Sequence, residues 1–295
     1  MPGPPPPHSG FNFTSTLHSD TYPAVDPTKR SDLTGRHVFI TGASKGIGRA
    51  TALSYAKAGA SSIGLGARSS LSSLEQEIHD AAKSAGRPAP RVLGVRLDVS
   101  SRPSVEAAAA AVGAAFGRLD VLVNNAGYLE KWRGIADGDP DEWWRTWDVN
   151  VKGVYLMTRS FLPLLLAGGL KTVVNLSSIG AHLAAPGASA YQSTKLAVLR
   201  FTEFTDAEYG ARGILAFAVH PGGIPTELGK NMPEEMHAVL SDTPEVAADT
   251  MVWLTQEKRD WLAGRYVSCT WDMPEFMAKK DEIVKGDLLK VRMAV

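Results

Sequence analysis

Tyr191 and Lys195 stand four residues apart in Tyr-Gln-Ser-Thr-Lys. On a helix that spacing places both side chains on one face, next to each other. A phenol with an ordinary pKa near ~10 exchanges protons poorly at neutral pH. A neighbouring ammonium favours the phenolate and lowers that value, so the pair is suited to moving a proton. Ser178 follows the apolar run Thr172 to Leu176, thirteen residues before Tyr191, and Asn150 lies in the helical segment ahead of that run.

A second stretch is suited to holding an anion. Residues 37–48 read His-Val-Phe-Ile-Thr-Gly-Ala-Ser-Lys-Gly-Ile-Gly. Val38 to Ile40 reads as a buried parallel strand that breaks at Thr41-Gly42, and a helix begins near Gly46. Gly42 allows a tight turn, while Gly46 and Gly48 let backbone and ligand approach without a Cβ between them. The helix N-terminus that follows offers free N–H groups and a positive dipole end, which suits a pyrophosphate.

These residues need a scaffold, and the rest of the chain supplies one. Strands are expected at 62–66, 91–97, 120–123, 172–176, 214–219 and 266–269. Helices are expected between them at 70–85, 103–116, 142–166 (bent near Gly153 and Pro163), 188–209 and 244–255. Such alternation argues a parallel sheet covered by helices on both faces, with ligands at the carboxyl ends of its strands. Residues 1–34 form an N-terminal extension, rich in Pro, Ser and Thr, whose first ten are expected to be disordered. Phe11, Phe13, Tyr22 and Val25 would anchor the remainder along the body or on a neighbouring subunit. Residues 35–270 form the α/β domain, and 271–295 a charged tail.

The bulk properties narrow the function. Thirty-one basic side chains balance 31 acidic ones over 295 residues, so nothing points to nucleic acid or an acidic membrane. Cys269 is the single cysteine, which excludes an intramolecular disulfide and suits a reducing compartment. There is no apolar signal core near Met1 and no run of ~18 apolar residues. No metal site is read from the sequence, and a cytoplasmic location is expected.

Asn124-Asn125-Ala126-Gly127 follows the fourth strand, and Pro221-Gly222 follows the sixth. With the glycine loop, Asn150, Ser178 and Tyr191-x-x-x-Lys195 these stand in the order of the short-chain dehydrogenase/reductase family, which residues 35–270 resemble. The resemblance implies a single Rossmann-type doubly wound sheet. It implies that Tyr191 is the general acid in carbonyl reduction and the base in alcohol oxidation. Lys195 would also hold the nicotinamide ribose, Ser178 would bond the substrate carbonyl, and Asn150 would position a water linking Lys195 to solvent. Ser177 is the rival of Ser178, and the spacing to Tyr191 favours Ser178. Cofactor contacts are implied for Gly42, Ser44, Lys45, Gly46, Ile47, Gly48, Asp98, Val99, Asn124, Ala126, Gly127, Tyr191, Lys195, Pro221, Gly222 and Thr226.

The choice of cofactor is argued from residues. NAD sites of this fold place an acid about 20 residues beyond the glycine loop. Here Ala67-Arg68-Ser69-Ser70 stands at the end of the second strand, and no acid precedes Glu75. Arg68 can stack on adenine and pair with a 2′-phosphate, Ser69 can add a hydrogen bond, and Lys45 supplies a second cation. NADP(H) is therefore expected. Tyr128, Leu129, Trp132, His182, Leu183, Gly222 and the Met-containing excursion 227–240 border the substrate by position. That excursion reads either as a lid or as a surface helix.

The expected activity is NADPH-dependent reduction of a ketone, or the reverse oxidation of a secondary alcohol. Imine or enone reduction and a cofactor-assisted cyclisation or epimerisation use the same constellation. A non-catalytic dinucleotide-binding protein would have a break in the tetrad Asn150, Ser178, Tyr191 and Lys195, which here is complete. The Asp20 to Ala24 arm and the tail look like a fungal branch, which makes secondary metabolism a plausible setting. By resemblance, a homodimer or homotetramer forms through the helices near 143–166 and 188–209.

Overall fold

In the computed structural model, residues 5–293 are described. The strands are β1 (His37–Thr41), β2 (Ser62–Ala67), β3 (Arg91–Arg96), β4 (Val121–Asn124), β5 (Thr172–Leu176), β6 (Leu215–His220) and β7 (Tyr266–Ser268). They form one sheet in the order β3-β2-β1-β4-β5-β6-β7, and every neighbouring pair is parallel. The helices are α1 (Pro27–Arg30), α2 (Gly46–Lys57), α3 (Leu74–Ser84), α4 (Arg102–Phe116), α5 (Pro140–Trp147), α6 (Gly153–Leu166), α7 (Ser189–Tyr209), α8 (Pro244–Thr255), α9 (Met273–Ala278) and α10 (Lys280–Lys285). Among the described residues no helix is long and apolar enough to cross a membrane.

Strand periodicity divides the apolar residues between two cores. Val38 and Ile40 of β1, with Val121 and Val123 of β4, point toward the layer of α2, α3 and α8. Phe39 and Leu122, the residues between them, join the layer of α4 and α6. Successive side chains on a strand face opposite ways, so a strand covered on both sides must be apolar at every position. The doubly wound sheet expected from the alternation is therefore present.

Local chemistry moves some boundaries. The helix expected from Ser70 starts only at Leu74, because the Ser70 hydroxyl accepts from the Ser72 N–H at 3.3 Å and pairs with its hydroxyl at 3.0 Å. Such side-chain bonds compete with the first helical turn. The long helix expected over 142–166 starts at Pro140 and is interrupted by a π-turn, Asp148–Lys152, between α5 and α6. Asn150 sits inside that turn, a wide helical bulge of the kind found at functional sites. The excursion after β6 is neither one helix nor loose: it holds two 3-10 turns, Gly229–Asn231 and Glu234–Val239.

The extension and the tail pack on each other. Leu17 forms an antiparallel bridge with Trp271, and the His18 N–H donates to the Thr270 carbonyl at 2.7 Å. Trp271 is fully buried, with the rings of Phe13 and Phe276 at 5.0 and 5.6 Å. Its Nε1 donates to the Gly10 carbonyl at 3.0 Å. His18 lies 3.0 Å from Asp272, and the Met273 N–H donates to the Tyr22 hydroxyl at 2.7 Å. Of the ten residues expected to be disordered, 1–4 lie outside the described residues. From Pro5 the chain lies on the body, with a 3-10 turn at Pro7–Ser9. The arm runs along its own chain.

At the carboxyl edge β1 and β4 are latched together. The Thr41 hydroxyl accepts from the N–H groups of Asn125 and Ala126, both at 2.9 Å. The Asn125 amide donates to the carbonyls of Thr41 and Gly42 at 2.7 and 3.2 Å. A Cβ on Gly48 would lie 2.4 Å from the Gly42 oxygen and 2.6 Å from Asn125 Nδ2. Gly48→Ala is therefore expected to destabilise the protein by about 1–3 kcal/mol in urea unfolding, because backbone must move to admit the methyl. Trp271→Ala is expected to cost about 3–5 kcal/mol in the same measurement, and to raise amide exchange across residues 10–22.

Candidate active site

The π-turn, the end of β5 and the first turns of α7 meet at one place. Ser178 leaves β5 with extended backbone and caps the 3-10 turn Ile179–His182, its Oγ accepting from the Gly180 N–H at 3.0 Å. Ser177 points the other way and donates to the Lys195 carbonyl at 2.9 Å, which leaves Ser178 as the serine beside the Tyr191 hydroxyl. Lys195 is 5% exposed; its Nζ donates to the Leu176 carbonyl at 2.8 Å and lies 5.4 Å from the centre of the Tyr191 ring. Burial pushes the Tyr191 hydroxyl up to about 12; the Ser178 hydrogen bond opposes this and the Glu130 carboxylate adds to it. Burial also pushes Lys195 down to about 8. In the protein alone, burial thus outweighs the lowering of the tyrosine pKa expected from its lysine neighbour.

Asn150 joins the tetrad's supports. It is 1% exposed, and its Nδ2 donates to the Tyr128 carbonyl at 2.9 Å and to the Thr194 hydroxyl at 3.0 Å. Its Oδ1 accepts from the Tyr128 N–H at 2.8 Å. Both amide protons are engaged by protein, so any water it holds must donate to Oδ1 or meet its backbone. Thr194 in turn donates to the Tyr191 carbonyl at 2.7 Å, which ties the π-turn to the tyrosine's own helical turn.

The glycine loop forms a cradle. Lys45, at the N-cap of α2, makes no side-chain cap bond, and the first turn contains no acid. The first N–H groups of the helix are left for an anion. Gly42 has φ +66°, and a Cβ there would sit 2.9 Å from Asn125 Nδ2. Thr226 lies over the loop, its methyl 3.2 Å from where a Gly46 Cβ would stand. Ser69 donates to Ser44 at 2.9 Å, joining the end of β2 to the loop. Arg68 beside them is exposed and, among the described residues, in no ion pair. Lys45, expected as a second free cation, instead pairs with Glu227 of the excursion. Asp98 accepts from the Ser100 N–H and hydroxyl at 3.0 and 2.7 Å, which with the nearby Arg68 holds its carboxyl below the usual range. Val99 packs against Gly153, Ala126 is held by Thr41, Gly127 adjoins Asn150, and Ile47 faces the core. These residues suit a dinucleotide: glycines where a Cβ would fill the cradle, uncapped N–H groups for the pyrophosphate, and a cation at the far end.

Asn124 does not reach the cleft through its side chain. It is 2% exposed, and its Nδ2 donates to Asn175 at 2.8 Å and Thr158 at 3.2 Å, inside the sheet and α6. Asn125, the second residue of the pair, is the one that holds the glycine loop. The bonds that tie Asn125 to Thr41 and Asn150 to Thr194 escape sequence reasoning, because partners 84 and 44 residues apart leave no periodic signal.

On the substrate side, Tyr128 donates to Glu142 under the Arg145 guanidinium, which lies 4.6 Å from its ring. Asn231 bridges from the excursion to the Leu129 carbonyl at 2.7 Å. Gly223 and Asp242 close the base of that loop, with N–H bonds of 2.7 and 2.8 Å. Gly222, with φ +105°, precedes it and follows Pro221. His182 is not turned toward Tyr191: its ring packs edge-on against Tyr266 at 4.9 Å, and its carbonyl accepts from His8 at 3.2 Å. A cavity of about 670 Å³ opens beside the tetrad rather than over it, lined by Tyr128, Glu130, Arg133, Trp143, Gly187 and Asn231 among others.

Known proteins share this design. The family model described as short chain dehydrogenase matches residues 36–237. The short chain dehydrogenase citE of Monascus ruber is 60% identical over 98% of this chain and 99% of its own. The short chain dehydrogenase pigC of the same species is 53% identical over 96% and 94%. Among solved structures, a 3-ketoacyl-(acyl-carrier-protein) reductase from Brucella melitensis complexed with NADH superimposes with a TM-score of 0.71 at 29% identity, over 80% of this chain and 97% of that one. The glycine cradle, the parallel sheet that presents it and these matches together make the chain a member of the short-chain dehydrogenase family of nicotinamide-dependent oxidoreductases.

Proposed function

We propose that this enzyme is an NADPH-dependent carbonyl reductase, acting on a ketone and its secondary alcohol. The reading rests on one observation: Ser178, Tyr191 and Lys195 converge at the carboxyl edge of β5, beside a glycine cradle suited to a dinucleotide. Bound NADPH supplies the hydride. Ser178 holds the substrate oxygen, and the Tyr191 hydroxyl gives its proton to the alkoxide as the carbonyl carbon is reduced. Lys195, anchored on the Leu176 carbonyl, stabilises the phenolate left behind and holds the ribose. Arg68 selects the 2′-phosphate, since no acid stands at the end of β2. The fungal origin of the relatives supports a role in secondary metabolism, and the single cysteine supports a cytoplasmic setting.

Self-association is part of the same proposal. Tyr155 on α6 is 49% exposed, and Leu196 and Phe204 on α7 are 40% and 56% exposed. Apolar side chains grouped on two neighbouring helices suit a homodimer or homotetramer.

NADPH oxidation with a panel of ketones, quinones, enones and cyclic imines tests the reading. Tyr191→Phe is expected to lower turnover about 10²–10⁴-fold while NADPH affinity stays within about threefold; near-normal turnover would remove the assignment. Product formed without stoichiometric NADPH consumption would favour the cyclase or epimerase alternative. Arg68→Ala is expected to weaken NADPH about tenfold or more and NADH much less in binding titrations. Phe204→Glu is expected to shift sedimentation toward monomer.

A further inference from the structure

Glu130 has no place in the tetrad, yet it is bound to the tyrosine. It lies six residues beyond Asn124 in the loop after β4 and is 6% exposed. One carboxylate oxygen accepts the Tyr191 backbone N–H at 3.1 Å; the other accepts the Thr146 hydroxyl of α5 at 3.0 Å. The N-cap residue of α7 is Ala188, which has no side chain able to cap, and Tyr191 is the third residue of that helix. The third N–H of a helix is normally satisfied by an N-cap side chain. Glu130 does this from another segment, and its charge offsets the positive end of the α7 dipole where the reacting tyrosine stands.

We propose that Glu130 is a positioning residue that fixes the first turn of α7 and whose carboxylate, in addition to the burial of the ring, favours the neutral, proton-donating form of Tyr191. The proposal rests on the reading of Tyr191 as the proton donor. The groups that face Tyr191 are few. Burial opposes the phenolate most, the Ser178 hydrogen bond from the end of β5 favours it, and Glu130 adds to the effect of burial; the Lys195 ammonium lies 5.4 Å from the ring centre on the same helix. Tyr128, from the same loop as Glu130, also feels that carboxylate.

The test uses Glu130→Gln, which keeps the shape and an acceptor for the Tyr191 N–H but removes the charge, beside Glu130→Ala, which removes both. Phenolate formation is followed by the ¹³Cζ shift of labelled tyrosine, with Tyr191→Phe identifying the signal, in protein free of substrate. At the highest pH where both proteins stay folded, Glu130→Gln is expected to show about threefold or more phenolate than the wild type. Its melting temperature is expected to remain near that of the wild type, while Glu130→Ala melts lower and loses protection of the Tyr191 amide. Equal phenolate in wild type and Glu130→Gln would overturn the proposal and leave Glu130 as a cap alone. If Glu130→Ala fails to fold, the glutamine variant still decides. Absence of turnover in the wild-type panel would count against the reductase reading without touching this titration.

Discussion

One side chain, Asn125, stands where the two halves of the sheet part. The strand order reverses between β1 and β4, and the chains leaving these two strands diverge to opposite faces. Without a tie, the crevice between them would be the softest place in the fold. Asn125 spans it by donating to two carbonyls of the glycine loop, while Thr41 returns two bonds to the backbone of the other side. Side chain and backbone alternate as donor and acceptor across the gap, so the groups that face each other there are paired. Gly48 is the counterpart, since only an absent Cβ lets the carbonyl and the amide approach so closely.

The reacting groups are held under electrical tension. A buried tyrosine prefers to stay neutral, and a buried lysine resists its charge. The Leu176 carbonyl gives the ammonium one fixed partner, and the rest of its stabilisation falls to whatever enters the cleft. The neighbouring serines divide the labour by strand alternation: Ser177 secures the backbone of α7, and Ser178 remains in the cleft. The protein thus fixes distances tightly while leaving its charges incompletely matched until a ligand arrives.

Much of this could be read from residue order. The separation of Tyr191 and Lys195 needs only a helix, and the apolar runs of β1, β4 and β5 need only burial on both sides. Other features arise from contacts with no local signature. The π-turn at Asn150 lies in a segment whose pattern is helical throughout. Glu130 reads as an ordinary polar loop residue, because its partner on α7 is 61 residues away. Lys45 looks like a free cation until the loop after β6 brings Glu227 to it. Ser70 and Ser72 read as the start of a helix that their own side-chain bonds delay to Leu74.

The clasp between arm and tail has a bearing on how the chain acquires its shape. Gly10 and Trp271 are 261 residues apart, and His18 and Asp272 are 254 apart. A ribosome exposes the arm before the residues it packs on, so Phe13 and Tyr22 travel without their apolar seat while the residues between are made. The contacts closing the largest loops form latest, since their entropy must be met before they are rewarded. The sheet can assemble from β1 to β6 in the interim, with the outer strand β7 and the buried indole completing it. During that interval the unseated aromatics are the surface that a chaperone would recognise, or that a second nascent chain would find first.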